Sequence, residues 1–162
     1  MGKGDETTVV KARASTLITA TPQQVFEFIA VNFEQNYPRW SPEVKALEML
    51  TPSPLRLGTQ ARQVRVDQGR QSNSIFGVTA FEPPTRVSFA EGNDQFRTDY
   101  QVDPLGGQTR LTFAFELRRM ELYMRPFEKL IRVAIQDGAE RVVRNIKSLI
   151  ERETARQSSG QV

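Results

Sequence analysis

Histidine is missing from all 162 residues of this chain. Its absence removes Ser–His and Cys–His nucleophile pairs, the side chain that best exchanges protons near neutral pH, and the commonest metal ligand. Cysteine is missing too, which excludes disulfides, thiolate nucleophiles and sulfur-bound zinc, and leaves the redox compartment open. No apolar run approaches the roughly 18 residues of a membrane-spanning helix, so no stable membrane insertion is expected. Charge is not massed either: 22 basic residues stand against 19 acidic ones, and Arg118-Arg119 is the only basic doublet. A nucleic-acid surface needs a concentrated basic patch with aromatics among it, so no nucleic-acid partner is expected. The opening MGKGDETT is polar, without the apolar core of a leader peptide, and the expected location is cytoplasmic. Hydrophobic residues at 38% and charged residues at 25% are ordinary for a folded domain.

What is present begins with the stretch from about Pro126 to Glu153. Phe127, Leu130, Ile131, Ala134, Ile135, Gly138, Val142, Ile146, Leu149 and Ile150 recur there in steps of three and four. That spacing predicts one apolar stripe on an α-helix, with Lys129, Arg132, Gln136, Glu140, Arg144, Lys147 and Glu151 on its solvated face. At a rise of about 1.5 Å per residue the helix runs roughly 40 Å, enough to cross a small domain.

Upstream, residues 9–20 alternate like a strand. Thr21-Pro22-Gln23-Gln24 then signals a helix start: a cap, a proline in the first position, and Gln24 to complete a capping box. This short helix fades near Asn32. Phe33 to Pro42, with Pro38 and Pro42, reads as a turn-rich connector with room for one more helical turn. Strands follow at Val44–Leu50, Gly58–Asp67, Ser72–Phe81, Arg86–Ala90, Gln95–Asp103 and Gln108–Leu117, joined by tight turns in which Gly69 supplies positive φ. Successive tight turns make an antiparallel meander. The class is α+β: a curved antiparallel sheet of about six to seven strands around a long C-terminal helix, with one or two short helices after the first strand. One domain is expected over residues 9–153, flanked by flexible tails at 1–8 and 154–162.

This order resembles the helix-grip superfamily (SRPBCC, START-like, Bet v 1-like), whose members include polyketide cyclase/dehydrase and lipid-transport domains. The resemblance rests on ITATPQQVFEFI, Ile18 to Ile29; on Trp40 with Pro42; on Gly58 opening a strand; on VTAFEPPTRVSF, Val78 to Phe89; and on RVVRNIKSLIERE, Arg141 to Glu153. It covers about residues 9–153 and implies the fold rather than one activity, because such domains bind sterols, polyketides, hormones and lipids and only some catalyse anything.

A sheet curled around a helix leaves a space wherever inward side chains do not fill it, and a function would live there. Alternation puts Gln60, Arg62, Val64 and Val66 on one strand face, Phe96, Thr98, Tyr100 and Val102 on a second, and Leu111, Phe113, Phe115 and Leu117 on a third. Arg62 is suited to paired oxygens of a ligand, or else snorkels to water. Tyr100 is a hydrogen-bond donor or weak acid for an aldol-type cyclisation, or simply packs its ring. Trp40 gates the pocket mouth or plugs one end of the core, and Phe76, Phe89, Phe96, Phe113 and Phe127 line a cavity or fill it. Gly138, in mid-helix, is read as a close approach of helix to strand in preference to room for a ligand. The acids offer no compact pair: Glu91, Asp94 and Asp99 sit around a turn. No catalytic residue, metal or cofactor is assigned.

The expected function is binding or transport of a hydrophobic small molecule (a lipid, isoprenoid or polyketide-like compound) between sheet and C-terminal helix. The candidate ligand-binding residues are Trp40, Arg62, Phe76, Phe96, Tyr100, Phe113, Phe127 and Ile131. The alternatives are an aromatase/cyclase-like enzyme working without histidine or metal, and a protein-interaction module with a filled core. A monomer or homodimer fits either.

Overall fold

In the computed structural model residues 9–159 are described; residues 1–8 and 160–162, which include most of the expected tails, lie outside the described residues. The first strand, β1 (Val10–Ile18), ends where Thr21 caps helix α1 (Pro22–Phe26). Both halves of the capping box form: the Gln24 N–H donates to Thr21 Oγ1 at 3.1 Å, and the Thr21 N–H donates to Gln24 Oε1 at 2.9 Å. A π-helical turn, Glu27–Val31, continues α1 and buries Phe28, Ile29 and Ala30.

The expected connector is instead helix α2 (Phe33–Trp40), with Pro38 inside it. Two tertiary terms outweigh the proline penalty. Phe33, Tyr37 and Trp40 share one helical stripe that turns into the core, and Phe33 and Trp40 are buried. Asn36, also buried, donates to the Phe28 carbonyl at 3.0 Å and accepts from Arg39 at 2.7 Å.

Six further strands follow: β2 (Val44–Met49), β3 (Gln60–Asp67), β4 (Arg70–Glu82), β5 (Arg86–Glu91), β6 (Phe96–Leu105) and β7 (Gln108–Leu117). All pairings are antiparallel, in the order β1-β7-β6-β5-β4-β3-β2, so β1 and β2 are the edges of a seven-stranded curved sheet. β1 joins β7 over its whole length, from Val10↔Leu117 to Ile18↔Thr109. The β6–β7 hairpin turns on Gly106 and Gly107 at φ of 52° and 83°, a conformation glycine adopts without a Cβ clash.

A 3₁₀ turn (Leu122–Phe127) leads into helix α3 (Glu128–Ser159), which runs six residues beyond the expected end at Glu153. Its burial is unequal. Ala139, Val143, Ile146 and Ile150 enter the core, whereas Phe127, Leu130 and Val133 are exposed. The apolar stripe therefore seats the second half of the helix deeply and the first half only through Ile131 and Ile135, which are partly buried against Val10, Leu117 and Met120.

The face expected to be solvated has work of its own. Arg132 donates to the Val9 carbonyl at 2.9 Å, Gln136 to the Arg13 carbonyl at 3.1 Å and Lys147 to the Leu17 carbonyl at 2.6 Å, while Glu151 accepts from the Thr19 N–H at 2.8 Å. These side chains occupy polar groups along the edge strand, which would otherwise template pairing with another chain.

Candidate functional site

Between the sheet and α3 lies a cavity of about 1090 Å³, walled by α2, β3–β7 and α3. Its deep end is aromatic because five elements deliver rings to one place. α2 brings Phe33, Tyr37 and Trp40; β4 and β5 bring Phe76 and Phe89; β6 and β7 bring Tyr100 and Phe113. Phe33 stacks on Tyr37 and Phe89 at centroid separations of 4.8 and 5.0 Å, and Tyr100 meets Phe113 at 4.9 Å and Trp40 at 5.9 Å. Such offset and tilted pairs add roughly 0.5–1.5 kcal/mol each beyond their burial. The rings thus pack on one another and still line the cavity.

One wall is polar and internally satisfied. Arg65 donates to the Tyr37 hydroxyl at 3.2 Å, which donates to Gln63 Oε1 at 2.8 Å; Gln63 Nε2 donates to Glu91 at 3.2 Å, and Ser74 donates to the same Glu91 oxygen. Arg65 also holds Asp67 through two hydrogen bonds at 3.0 and 3.1 Å. Burial pulls at the Arg65 charge, but Asp67 and Tyr37 overcome it and keep the guanidinium firmly protonated. Burial pushes the Tyr37 hydroxyl above its ordinary range, against the pull of Arg65. Glu43 lies between Arg65 at 3.9 Å and Arg141 of α3 at 3.7 Å, linking sheet to helix beside the cavity.

Two donors at the deep end differ from this wall. The Trp40 indole N–H is the one buried side-chain polar atom, among the described residues, with no hydrogen-bond partner. The Tyr100 side chain is buried too, with its hydroxyl close enough to the Trp40 indole N–H to be influenced by it. Burial is the main cause that pushes Tyr100 far above the ordinary phenol range, and the Tyr37 oxygen adds to it. Tyr100 stays protonated, so it is a donor and not a base.

Of the eight residues singled out from sequence, Trp40, Phe76, Phe96, Tyr100, Phe113 and Ile131 line the cavity, and Arg62 and Phe127 do not. Arg62 points to the outer face of the sheet and pairs with Glu48 at 2.8 Å. The phase of β3 is the reverse of that expected: Ala61 and Gln63 are buried and Arg62 is exposed. Valines predict the inward face, yet that face carries Gln63 and Arg65, which a hydrogen-bonded wall accommodates. Phe127 lies outside, at the start of α3. Gly138 also departs from its reading: a Cβ there would meet only the far end of Arg141, at 3.8 Å, so no strand approaches it and it borders the cavity. Gln63 and Arg65 escaped sequence reading; a phase opposite to the valines was their one signal.

Among the described residues no cluster of acids has the spacing of a metal site, and no helix is long and apolar enough to cross a membrane.

Solved structures share this architecture. A protein from Thermus thermophilus, TTHA0849, superposes with a TM-score of 0.68 at 18% identity, covering 86% of this chain and 96% of that one. A protein named KanY gives a TM-score of 0.71 at 19% identity over 88% and 97% of the two chains. Cgl2372 from Corynebacterium glutamicum, described as polyketide-cyclase-like, gives 0.63 at 18% identity over 89% and 93%. At these identities the likeness concerns the fold alone. No curated protein sequence matches the chain. The family model for polyketide cyclase/dehydrase and lipid transport matches residues 9–151. With the helix-grip sheet, most of the long helix and the cavity between them in that span, the chain belongs to the polyketide cyclase/dehydrase and lipid transport family.

Proposed function

We propose that this protein holds or carries an elongated hydrophobic molecule bearing an oxygen acceptor, with the apolar body in the cavity and the oxygen at its deep end. The observation that carries this reading is the unpartnered, buried N–H of Trp40, with the buried Tyr100 ring packed against it. A buried donor left unsatisfied costs about 1–3 kcal/mol, and a ligand carbonyl or hydroxyl facing both groups would remove that cost. Apolar burial, at about 25 cal/mol per Å², supplies most of the affinity. The volume, about 1090 Å³, is at the upper end of small-molecule sites and suits a lipid, isoprenoid or polyketide-like chain. A cytoplasmic location is part of the same proposal.

The cyclase-like alternative loses Arg62 to the outer surface and retains Tyr100, a donor that burial keeps protonated. A filled-core interaction module fits poorly with a cavity of this size.

Trp40 is the only tryptophan, so its fluorescence reports on the deep end directly. Titration with a long-chain methyl ketone is expected to shift Trp40 emission and to give a discrete adduct by native mass spectrometry. Tyr100→Phe should weaken the ketone about three- to tenfold and leave the matching alkane unaffected. Unchanged emission and a clean apo mass across ketones, fatty acids and isoprenoids would end the proposal.

A further inference from the structure

The segment from Arg118 to Val133 leaves the sheet, forms the 3₁₀ turn and starts α3. Five large apolar side chains on it face solvent: Leu122 at 83% exposure, Tyr123 at 61%, Phe127 at 56%, Leu130 at 69% and Val133 at 60%. Every other exposed large apolar residue among those described is isolated in sequence from its fellows, and isolated ones need no explanation. A run of five does.

The charge of the same segment is equally distinctive. It holds five of the chain's 22 basic residues (Arg118, Arg119, Arg125, Lys129 and Arg132) and two of its 19 acidic ones (Glu121 and Glu128), so the net +3 of the whole chain resides here and the remainder is neutral. Arg118 and Arg132 have acidic partners. Arg125 and Lys129 make no ion pair among the described residues. Apolar and aromatic side chains interspersed with unpaired cations match the interface of a bilayer with anionic headgroups. A second copy of the chain fits less well, because a two-fold contact would set this charge against itself. The segment also adjoins the cavity: Tyr123, Met124 and Ile131 line its wall.

We propose that Arg118–Val133 is a peripheral docking surface for an anionic lipid bilayer, which sets the cavity beside the membrane without any segment crossing it. This does not depend on what the cavity holds.

The test is co-sedimentation of the full chain with vesicles of phosphatidylcholine alone and of phosphatidylcholine with phosphatidylserine. Binding is expected only with phosphatidylserine and should weaken with added salt. Arg125→Glu with Lys129→Glu should reduce it about tenfold or more, and Leu122→Gln with Leu130→Gln should also reduce it. All four sites are exposed, so unchanged circular-dichroism melts would tie the losses to the surface and not to unfolding. Equal binding to both vesicles, no binding to either, or binding that survives both double variants would overturn the proposal. A dimer in light scattering that Leu130→Gln dissolves would assign the surface to a second copy and overturn it as well. Ketone binding read by Trp40 in vesicle-free solution stands or falls separately.

Discussion

Arg62 and Arg65 lie three residues apart on β3 and do unrelated work. Arg62 is an exposed ion-pair member, and such pairs contribute about 0–1 kcal/mol. Arg65 ties Asp67, Tyr37 and the hydrogen-bonded wall together. By urea denaturation, Arg62→Ala should therefore change stability by less than about 0.5 kcal/mol, and Arg65→Ala should cost about 1–3 kcal/mol. Gly138 carries a third prediction. It sits within a helix where a Cβ would meet only the end of Arg141, at an ordinary 3.8 Å, so Gly138→Ala should stabilise by about 1 kcal/mol and raise the melting temperature by about 2–4 °C. Larger replacements there should take up room in the cavity. Alternation in β3 disclosed that Arg62 and Arg65 occupy opposite faces. Which face turned inward depended on Tyr37, Gln63 and Glu91 meeting across three elements, and no local pattern records that.

At the level of elements, legibility followed how local the deciding forces were. The capping box at Thr21 and the glycine turns are set within a few residues, and both were readable in the sequence. Pro38 speaks locally and argues for a connector, whereas the bond from Asn36 to Phe28 and the burial of Trp40 that make α2 a helix are tertiary. The polar side of α3 looks solvated in sequence for the same reason: its partners in and beside β1 are more than a hundred residues away. One of those links titrates. Burial alone would raise the Glu151 pKa, but the Thr19 N–H and Lys147 outweigh it and hold the carboxylate below its ordinary range. Asp94 is held low as well, first by its hydrogen bond from Arg97. Because both folded values lie below the unfolded ones, the unfolded chain takes up protons first on acidification. The stabilisation is complete above the ordinary carboxylate range, near pH 4, and is lost as pH falls through the folded values. Thermal melts across that interval should show a steep decline, and Glu151→Gln should flatten it while lowering stability at neutral pH.

Across the whole molecule, α3 is firmly seated at one end and lightly seated at the other. Its second half buries Val143, Ile146 and Ile150 and is bound at the β1 edge through Lys147 and Glu151; its first half, tied to the same edge by Arg132 and Gln136 and half-burying Ile131 and Ile135, leaves Leu130 and Val133 in solvent. Amide hydrogen exchange should read this as a gradient, fast over residues 128–137 and slow over residues 143–155, because opening free energies follow local burial. Uniform protection along the helix would refute it. The consequence concerns how a large molecule enters a deep space. Were the proposed hydrophobic molecule held there, fraying two or three turns of one helix would widen the passage while the sheet and the aromatic end kept their structure, so that loading would run at the rate of a local opening with no need for the protein to unfold.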